Sequence, residues 1–306
     1  MTTANHPKLN LQQIVTEAQL PALPHSAISL LELSQDPENG PVEFSVPIES
    51  DPGLTGQVLR FVNSSYFGFS REISSVKLAI TLVGIRTIKN FALWSAVFSL
   101  MPNPKCGPFD LKNLWQDSLR RALCARRLSR LLSIKEPEEP FAAALLQDMA
   151  VPLLAKSSPD IYTKLLKARN DGSVRLSFLE KRLFGWTHAE AGGIMARHWK
   201  LPEGFAELIE GHQSVDPWIE NPEAEAVKLV VAMSALLPTT VDSKWHESEQ
   251  LEKCYARVCP AGGPDLAKLL GQIDDEFIEF APVLKLATPA KSLVDVYNEV
   301  TSSATA

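Results

Sequence analysis

The residues with the most chemical potential are two carboxylates set among apolar side chains. Asp148 ends the Ala-rich segment that begins at Phe141, and Asp117 follows Leu114-Trp-Gln in the preceding predicted helix. At about 100° per residue, Asp117 shares an arc of roughly 120° with apolar residues one to four turns later, Leu128 among them. Carboxylates are rarely buried without a partner. The pattern therefore predicts that both carboxylates point towards one core.

Two histidines follow these acids. His188 falls in the first turn of a predicted helix, and His212 falls near the end of the next one. With Asp117 and Asp148 they could supply two nitrogen and two oxygen ligands to a divalent ion. The alternative is a hydrogen-bonded polar core that holds no metal.

Five arginines occupy one predicted helix, Asp110–Leu132, and four of them fall within an arc of roughly 120°. The four are Arg120, Arg126, Arg127 and Arg130, and the fifth is Arg121. Such a face could grip phosphates or an acidic partner through bidentate contacts. The alternative, which we favour, is a solvated face whose aliphatic stems cover neighbouring helices. In both cases the charged groups are expected to be exposed, and changing Arg126 and Arg130 to Glu is expected to alter stability little.

Helical periodicity and cap residues predict an all-α chain without alternating strands. Asp51 followed by Pro52 should begin one helix, Ser74 or Ser75 should cap the next, and Gly84 should end it. The predicted helices are Leu9–Leu20, His25–Ser34, Phe44–Ser50, Pro52–Asn63, Val76–Leu82, Ile85–Leu100, Asp110–Leu132, Pro137–Asp148, Pro152–Lys156, Pro159–Asn170, Ser177–Gly185, Thr187–Trp199, Pro202–His212, Pro222–Leu236, Ser248–Val258 and Pro264–Phe280.

The segment Met101–Pro108 contains three prolines and a glycine and is the best candidate boundary. It divides the chain into an N-terminal helical module, 1–105, and a second helical module, 109–285. Residues 286–306 are expected to form a C-terminal tail that frays at its end.

Composition places the chain among ordinary globular proteins, with 45% hydrophobic and 22% charged residues among 306. A net charge of −6 weakly opposes binding to nucleic acid or to an anionic membrane. No signal peptide, membrane-length apolar run or CxxC pair is found, so a cytoplasmic protein with reduced thiols is expected. The common nucleotide-binding, hydrolase and metalloprotease motifs are also absent from the sequence.

Several segments resemble known landmarks. Trp115–Ser118, Ala144–Leu154 and His188–Gly193 resemble the HD phosphohydrolase superfamily, in which a His, an adjacent His-Asp pair and a later Asp hold a divalent metal. The pattern from Asp51-Pro to Asn63-Ser-x-Tyr-Phe-Gly68, followed by Ile73-Ser-Ser-Val76, resembles the HDOD subgroup (HD-related output domains of bacterial signalling). The resemblance implies a multi-helical fold in which an N-terminal HDOD module packs on an HD-like module.

The resemblance also implies a degenerate metal site. Asp117 stands where the first His would be, Gln147-Asp148 replaces His-Asp, and Ser234 stands roughly where the last Asp would be. Only Asp148 survives of the four ligands. His188 and His212 map onto positions that multi-metal members use for a second metal or for substrate phosphate.

The resemblance therefore implies a non-catalytic signalling or regulatory module without a cofactor, whose partner is a signalling protein or a small ligand. Membrane contact is not expected, and nucleic acid is disfavoured. The first alternative is a metal-dependent phosphohydrolase with an altered site at Asp117, Asp148, His188 and His212. The second is a nucleic-acid-responsive regulator that uses the Arg120–Arg130 face.

Overall fold

The computed structural model describes residue 11 and residues 20–304, and over these residues it is helical with no strand. The all-α prediction is confirmed. The helix predicted for Leu9–Leu20 lies outside the described residues except for its Leu11 and Leu20. No helix in the described part of the chain is both long enough and apolar enough to cross a membrane.

Local cap chemistry sets several of the ends of the five helices between His25 and Leu100. Asp51 Oδ1 accepts a hydrogen bond from Leu54 N at 3.0 Å, and Ser75 Oγ accepts one from Leu78 N at 3.3 Å. Gly84 ends its helix in a conformation with φ of +98°. These helices are α1 (His25–Leu33), α2 (Pro41–Glu49), α3 (Pro52–Val62), α4 (Val76–Val83) and α5 (Ile85–Leu100).

Helix α2 begins three residues before its predicted start at Phe44. Pro41 takes the first turn, and the Glu43 carboxylate accepts a hydrogen bond from Gly40 N at 2.8 Å. The proline and this capping contact together satisfy the helix terminus. The pattern of apolar residues alone does not reveal that start.

The second half of the chain contains the remaining helices. They are α6 (Leu111–Leu131), α7 (Glu138–Leu146), α8 (Ala150–Ser157), α9 (Pro159–Ala168), α10 (Leu176–Phe184), α11 (His188–His198), α12 (Glu203–Gly211), α13 (Asp216–Ile219), α14 (Ala226–Ser234), α15 (Ser248–Val258), α16 (Leu266–Phe280) and α17 (Leu293–Ala304), with a 3₁₀ turn at Ala281–Leu284. Helix α8 begins at Ala150 rather than Pro152, and the short α13 was not predicted.

The C-terminal segment up to residue 304 is bound to the rest of the fold. Asp274 accepts hydrogen bonds from Leu293 N at 3.0 Å and Val294 N at 3.2 Å, which caps α17. Leu293 is fully buried. From α6, Gln116 Nε2 donates to Ala287 O at 2.6 Å and Arg120 Nη2 donates to Lys291 O at 2.5 Å. The backbone of this segment thus meets two buried polar side chains that the sequence pattern does not connect with it.

One contiguous hydrophobic cluster includes side chains from both sides of Met101–Pro108. Within that segment Met101 and Cys106 are themselves buried. We propose that this segment separates a module of residues 1–105 from one of residues 109–285, with the two packed on a shared core. Residues 286–306 then form a C-terminal extension.

The prediction of an exposed arginine face on α6 is wrong for Arg120 and Arg126, whose side chains are only 4% and 2% exposed. The Arg126 guanidinium lies over the Tyr66 ring at 4.7 Å and the Phe141 ring at 4.6 Å. Its Nη2 also donates to Glu276 Oε2 at 3.0 Å.

The physical reason is that α6 is covered on nearly all sides. The turn at Tyr66, helix α7 and helix α16 pack over the face that a helical projection assigns to solvent. Arg127 and Arg130 also approach the same buried Glu276 carboxylate. Arg126 is therefore a buried partner for the Glu276 carboxylate and for the rings of Tyr66, Phe141 and Phe280.

Replacing Arg126 by Ala should lower the free energy of unfolding by about 3 kcal/mol. The change removes one partner of a buried ion pair and empties the aromatic cage, the space between the rings of Tyr66, Phe141 and Phe280. The matched control is Arg130→Ala, whose side chain is 47% exposed and should cost less than about 1 kcal/mol. Urea denaturation measures both. Equal, small losses would contradict the buried role of Arg126.

Limited proteolysis of the folded chain should first cut between Pro102 and Lys105, where every residue is half-buried or exposed. The fragments should stay associated in gel filtration, because the two modules share one hydrophobic core. First cuts elsewhere in the described residues would contradict the proposed boundary.

Candidate functional site

The centre of the candidate site is Asp148, which lies in the short turn between α7 and α8. Its side chain is 8% exposed and faces Arg121 on α6, His188 at the start of α11 and His212 just after α12. Asp148 Oδ2 forms an ion pair with Arg121 Nη1. Its Oδ1 lies 3.2 Å from His188 Nε2 and 3.9 Å from His212 Nε2. Four helices thus bring one carboxylate together with three basic side chains.

His188 lies between two carboxylates. Its Nε2 faces Asp148, and its Nδ1 lies 2.6 Å from Glu180 Oε2, which also accepts from His188 N at 2.8 Å. Glu180 is fully buried, and its other oxygen accepts from Tyr162 at 2.9 Å. Burial lowers the pKa of His188, but Glu180 and Asp148 more than offset it and raise the pKa to about 9. The imidazolium form therefore prevails at neutral pH.

His212 is in the opposite state. Its Nδ1 donates to Ile209 O at 2.6 Å, so the proton is fixed on Nδ1 and Nε2 carries a lone pair. Burial, aided by the positive charge of His188, lowers the pKa of His212 to about 3 although Asp148 opposes this shift. The two rings, 5.4 Å apart, thus hold different charges.

The charge of Asp148 is stabilised by these neighbours. Burial alone would raise the pKa of Asp148, but Arg121 and the protonated His188 lower it well below its ordinary value. Arg121, on α6, provides the largest of these favourable interactions. Asp148 is therefore an ionised carboxylate whose charge is met by protein groups.

Asp117 lies one turn before Arg121 on α6 and is buried in the same region. Its Oδ1 accepts a hydrogen bond from Thr240 N at 2.7 Å, which ties α6 to the segment after α14. Burial raises the pKa of Asp117 to about 6, although Arg121 and the Thr240 contact oppose the shift. Both carboxylates thus lie beside Arg121, as the prediction of one shared core requires.

The other two residues of the predicted site do not join this cluster. Gln147 is fully buried, and neither its Nε2 nor its Oε1 has a hydrogen-bond partner among the described residues. Ser234 is also fully buried, and its hydroxyl donates to Val231 O at 2.7 Å. Neither side chain offers an ionised ligand.

The four positions of the HD pattern, 117, 147, 148 and 234, therefore do not fit its metal. A different set does have suitable ligand types: one ligand atom each from Asp148, His188 and His212 lies within 4.8 Å of the others. An ion there has to displace the proton on His188 Nε2 and to tolerate the guanidinium of Arg121. Protons and arginine thus compete with a metal at this cluster.

A cleft of about 410 Å³ opens above the cluster. Asp117, Arg121, Asp148, His188 and His212 all line it. Its walls come from the segments around Arg169–Ser177 and Leu237–Glu247.

The sequence prediction missed Arg121, Glu180 and Tyr162. The helical projection places Arg121 outside the arc of the other four arginines. That difference in angle is the sequence signal that Arg121 points towards another part of the fold. Glu180 and Tyr162 lie on α10 and α9, and nothing in their local pattern links them to His188. Such long-range polar convergence leaves no periodic signal in a single sequence.

Two curated relatives have no described function. A protein of Treponema pallidum (strain Nichols) is 24% identical over 197 residues, which is 63% of this chain and 38% of that protein. The YuxH protein of Bacillus subtilis (strain 168) is 33% identical over 90 residues, 29% of this chain and 21% of YuxH. The chain thus matches about two fifths or less of the length of these relatives.

Solved structures share the fold. An HDOD domain protein of unknown function from Geobacter sulfurreducens has a TM-score of 0.68 at 21% identity, covering 90% of this chain and 98% of that one. A proposed phosphohydrolase from Shewanella amazonensis SB2B has a TM-score of 0.66 at 23% identity, covering 90% and 97%. A proposed signal transduction protein from Marinobacter aquaeolei VT8 has a TM-score of 0.61 at 17% identity, covering 99% and 67%.

The HDOD domain family matches residues 20–215, which is more than half of the chain. The fold agrees with this match, since the described residues are helical throughout and superpose on an HDOD domain protein over most of their length. This chain belongs to the HDOD domain family.

Proposed function

We propose that this HDOD chain is a non-catalytic signalling or regulatory module that acts by binding a protein or a small ligand. The observation that carries the proposal is the ion pair between Asp148 and Arg121. Asp148 is the one residue of the HD metal pattern that remains, and its charge is already met by protein groups.

Phosphate-ester hydrolysis at an HD-type site depends on a bound metal, which lowers the pKa of water and neutralises the phosphate. A guanidinium neutralises a carboxylate but has no open coordination position at which water can ionise. Arg121 and protonated His188 offset the charges of Asp148 and Glu180 without an ion. This pairing of charges supports a protein that keeps the HD-type fold but lacks its metal-dependent hydrolysis.

A metal-dependent phosphohydrolase remains the second candidate, because one observation favours it. The Nδ1 atoms of His188 and His212 are held by Glu180 Oε2 and Ile209 O, as outer-shell acceptors hold metal-bound histidines. Asp148, His188 and His212 would hold the ion, which would act as a Lewis acid. His188 has to lose a proton first, so occupancy should rise with pH.

The third hypothesis, nucleic-acid binding through the Arg120–Arg130 face, loses support. Arg120 and Arg126 are buried, and Arg127 and Arg130 both approach Glu276. Fewer phosphate contacts are then available than the helical projection suggests.

Protein dialysed at pH 7 against Mn²⁺, Fe²⁺ or Zn²⁺ and then against buffer should hold well below one ion per chain in elemental analysis. It should also release no phosphate from nucleotides or phosphodiesters. Tight binding of about one ion per chain, lost in Asp148→Ala, contradicts the proposal and favours the hydrolase.

Two variants sharpen the metal experiment. Arg121→Ala should bind metal more tightly than the wild type, because it removes a competing cation from Asp148. Arg130→Ala removes an arginine outside the cluster and is the matched control. Asp117→His with Gln147→His and Ser234→Asp should also raise metal affinity if the alignment with the HD pattern is right.

The charge of His188 can be tested through stability. Its pKa is about 9 in the folded chain against about 6.5 in an unfolded one. The resulting stabilisation is complete below pH 6.5 and is lost as pH rises towards 9. The free energy of unfolding should therefore fall more steeply with pH over this window in the wild type than in His188→Gln.

The control for that experiment is His246→Gln, which alters an exposed histidine and should follow the wild-type curve. Parallel curves for the wild type and His188→Gln would mean that His188 is neutral in the folded protein.

A further inference from the structure

We infer that the cleft above Asp117 and Arg121 binds an uncharged, partly apolar small molecule and selects against its phosphorylated counterparts. This inference rests on the proposed function, since it assigns a ligand class to a non-catalytic module. It follows from the size, the walls and the charges of the cleft.

The cleft has the size of a small-molecule site. Its volume of about 410 Å³ lies in the range of roughly 300–1,000 Å³ usual for ligand pockets. At its base Asp117, Arg121 and Asp148 are each at least nine-tenths buried. A ligand that reaches these three residues therefore has most of its surface buried.

Part of the cleft wall is aliphatic. Six such side chains line the cleft, namely Leu114, Val151, Leu166, Val174, Leu176 and Leu237. Val241 also lines it and is 53% exposed, so apolar surface continues to the solvent. Burying this surface favours a ligand with an apolar ring or chain.

The charges do not favour an anion. Six carboxylates, five lysine or arginine side chains and the protonated His188 line the cleft within the described residues, so it carries no excess of positive charge. All three arginines already pair with lining carboxylates: Arg121 with Asp148, Arg169 with Asp242 and Arg175 with Glu247. A phosphate would have to compete for these arginines and would also meet the carboxylate of Asp117.

The polar base of the cleft sets one further requirement. Asp117 is an acceptor when it is ionised, whereas the arginine beside it is a donor. A neutral group that offers at least one hydrogen-bond donor, such as an amide, a hydroxyl or a ring N–H, suits this pair. Unpaired buried groups on a mismatched ligand cost affinity, which is how such a site selects.

A backbone hydrogen bond holds the two wall segments of the cleft together. Lys244 N donates to Asp171 O at 2.9 Å, which joins the two wall segments. Gly172 has a φ of +93°, and a Cβ there would lie 2.4 Å from Lys244 O. The segments meet this closely only because residue 172 is glycine. A preformed cleft spends less binding energy on ordering itself around a ligand.

Matched probes test the ligand class on the full chain. Adenosine, guanosine, cytidine and uridine are compared with their 5′-monophosphates, and benzamide is compared with benzoate. Saturation-transfer NMR measures binding of each compound to the protein at pH 7.5, in buffer that contains EDTA to remove free metal. At least one neutral member should bind, and its charged counterpart should bind at least about tenfold more weakly, or 1.4 kcal/mol.

Three variants locate the binding. Leu176→Trp narrows the cleft from its wall, and Val241→Trp narrows it at an exposed position where folding should be retained. Both should weaken the neutral ligand. Leu78→Trp on α4 is the control, since Leu78 is similarly exposed and does not line the cleft.

Each other result overturns the inference. The inference is wrong if a charged member binds as strongly as its neutral counterpart or more strongly. It is also wrong if both cleft variants leave binding unchanged, or if no neutral member binds. Hydrolysis of a monophosphate after metal addition would instead overturn the proposed function, so the two failures are distinguishable.

Discussion

The ion pair between Asp148 and Arg121 is the interaction on which the site depends. A buried carboxylate has to be paired or neutralised, because desolvation of an isolated charge is far too costly. In this chain the partner is an arginine on the longest described helix, supported by His188, which Glu180 holds from its other side. That one requirement fixes the end of α7 against α6 and the start of α11.

Helix α6 connects the site to other parts of the molecule. Asp117 and Arg121 face the cleft, the adjacent Gln116 and Arg120 bind the C-terminal segment, and Arg126 fills the aromatic cage beneath the Tyr66 turn. These contacts lie on successive faces of one rigid element. The site, the C-terminal helix and the Tyr66 turn are therefore joined through a single helix.

Much of the fold could be predicted from the sequence because its signals are local. The Asp51 and Ser75 caps form as predicted, and α5 has its predicted bounds, because cap chemistry depends on neighbours within a few residues. The candidate site was predicted in part, since Asp117 and Asp148 line the same cleft and both interact with Arg121. Arg121, Glu180 and the burial of Arg126 were not foreseen, because each depends on how separate helices pack against one another. A helical projection shows which residues share a face but not what covers that face.

We propose that Arg121 and a protonated His188, rather than a metal ion, compensate the charge of Asp148. Nitrogen-15 NMR of histidine-labelled protein at pH 7 tests it most directly. Both ring nitrogens of His188 should carry protons, His212 should be neutral with its proton on Nδ1, and one equivalent of Zn²⁺ should leave both histidines unchanged. A neutral His188 whose Nε2 resonance shifts with stoichiometric Zn²⁺ would contradict it.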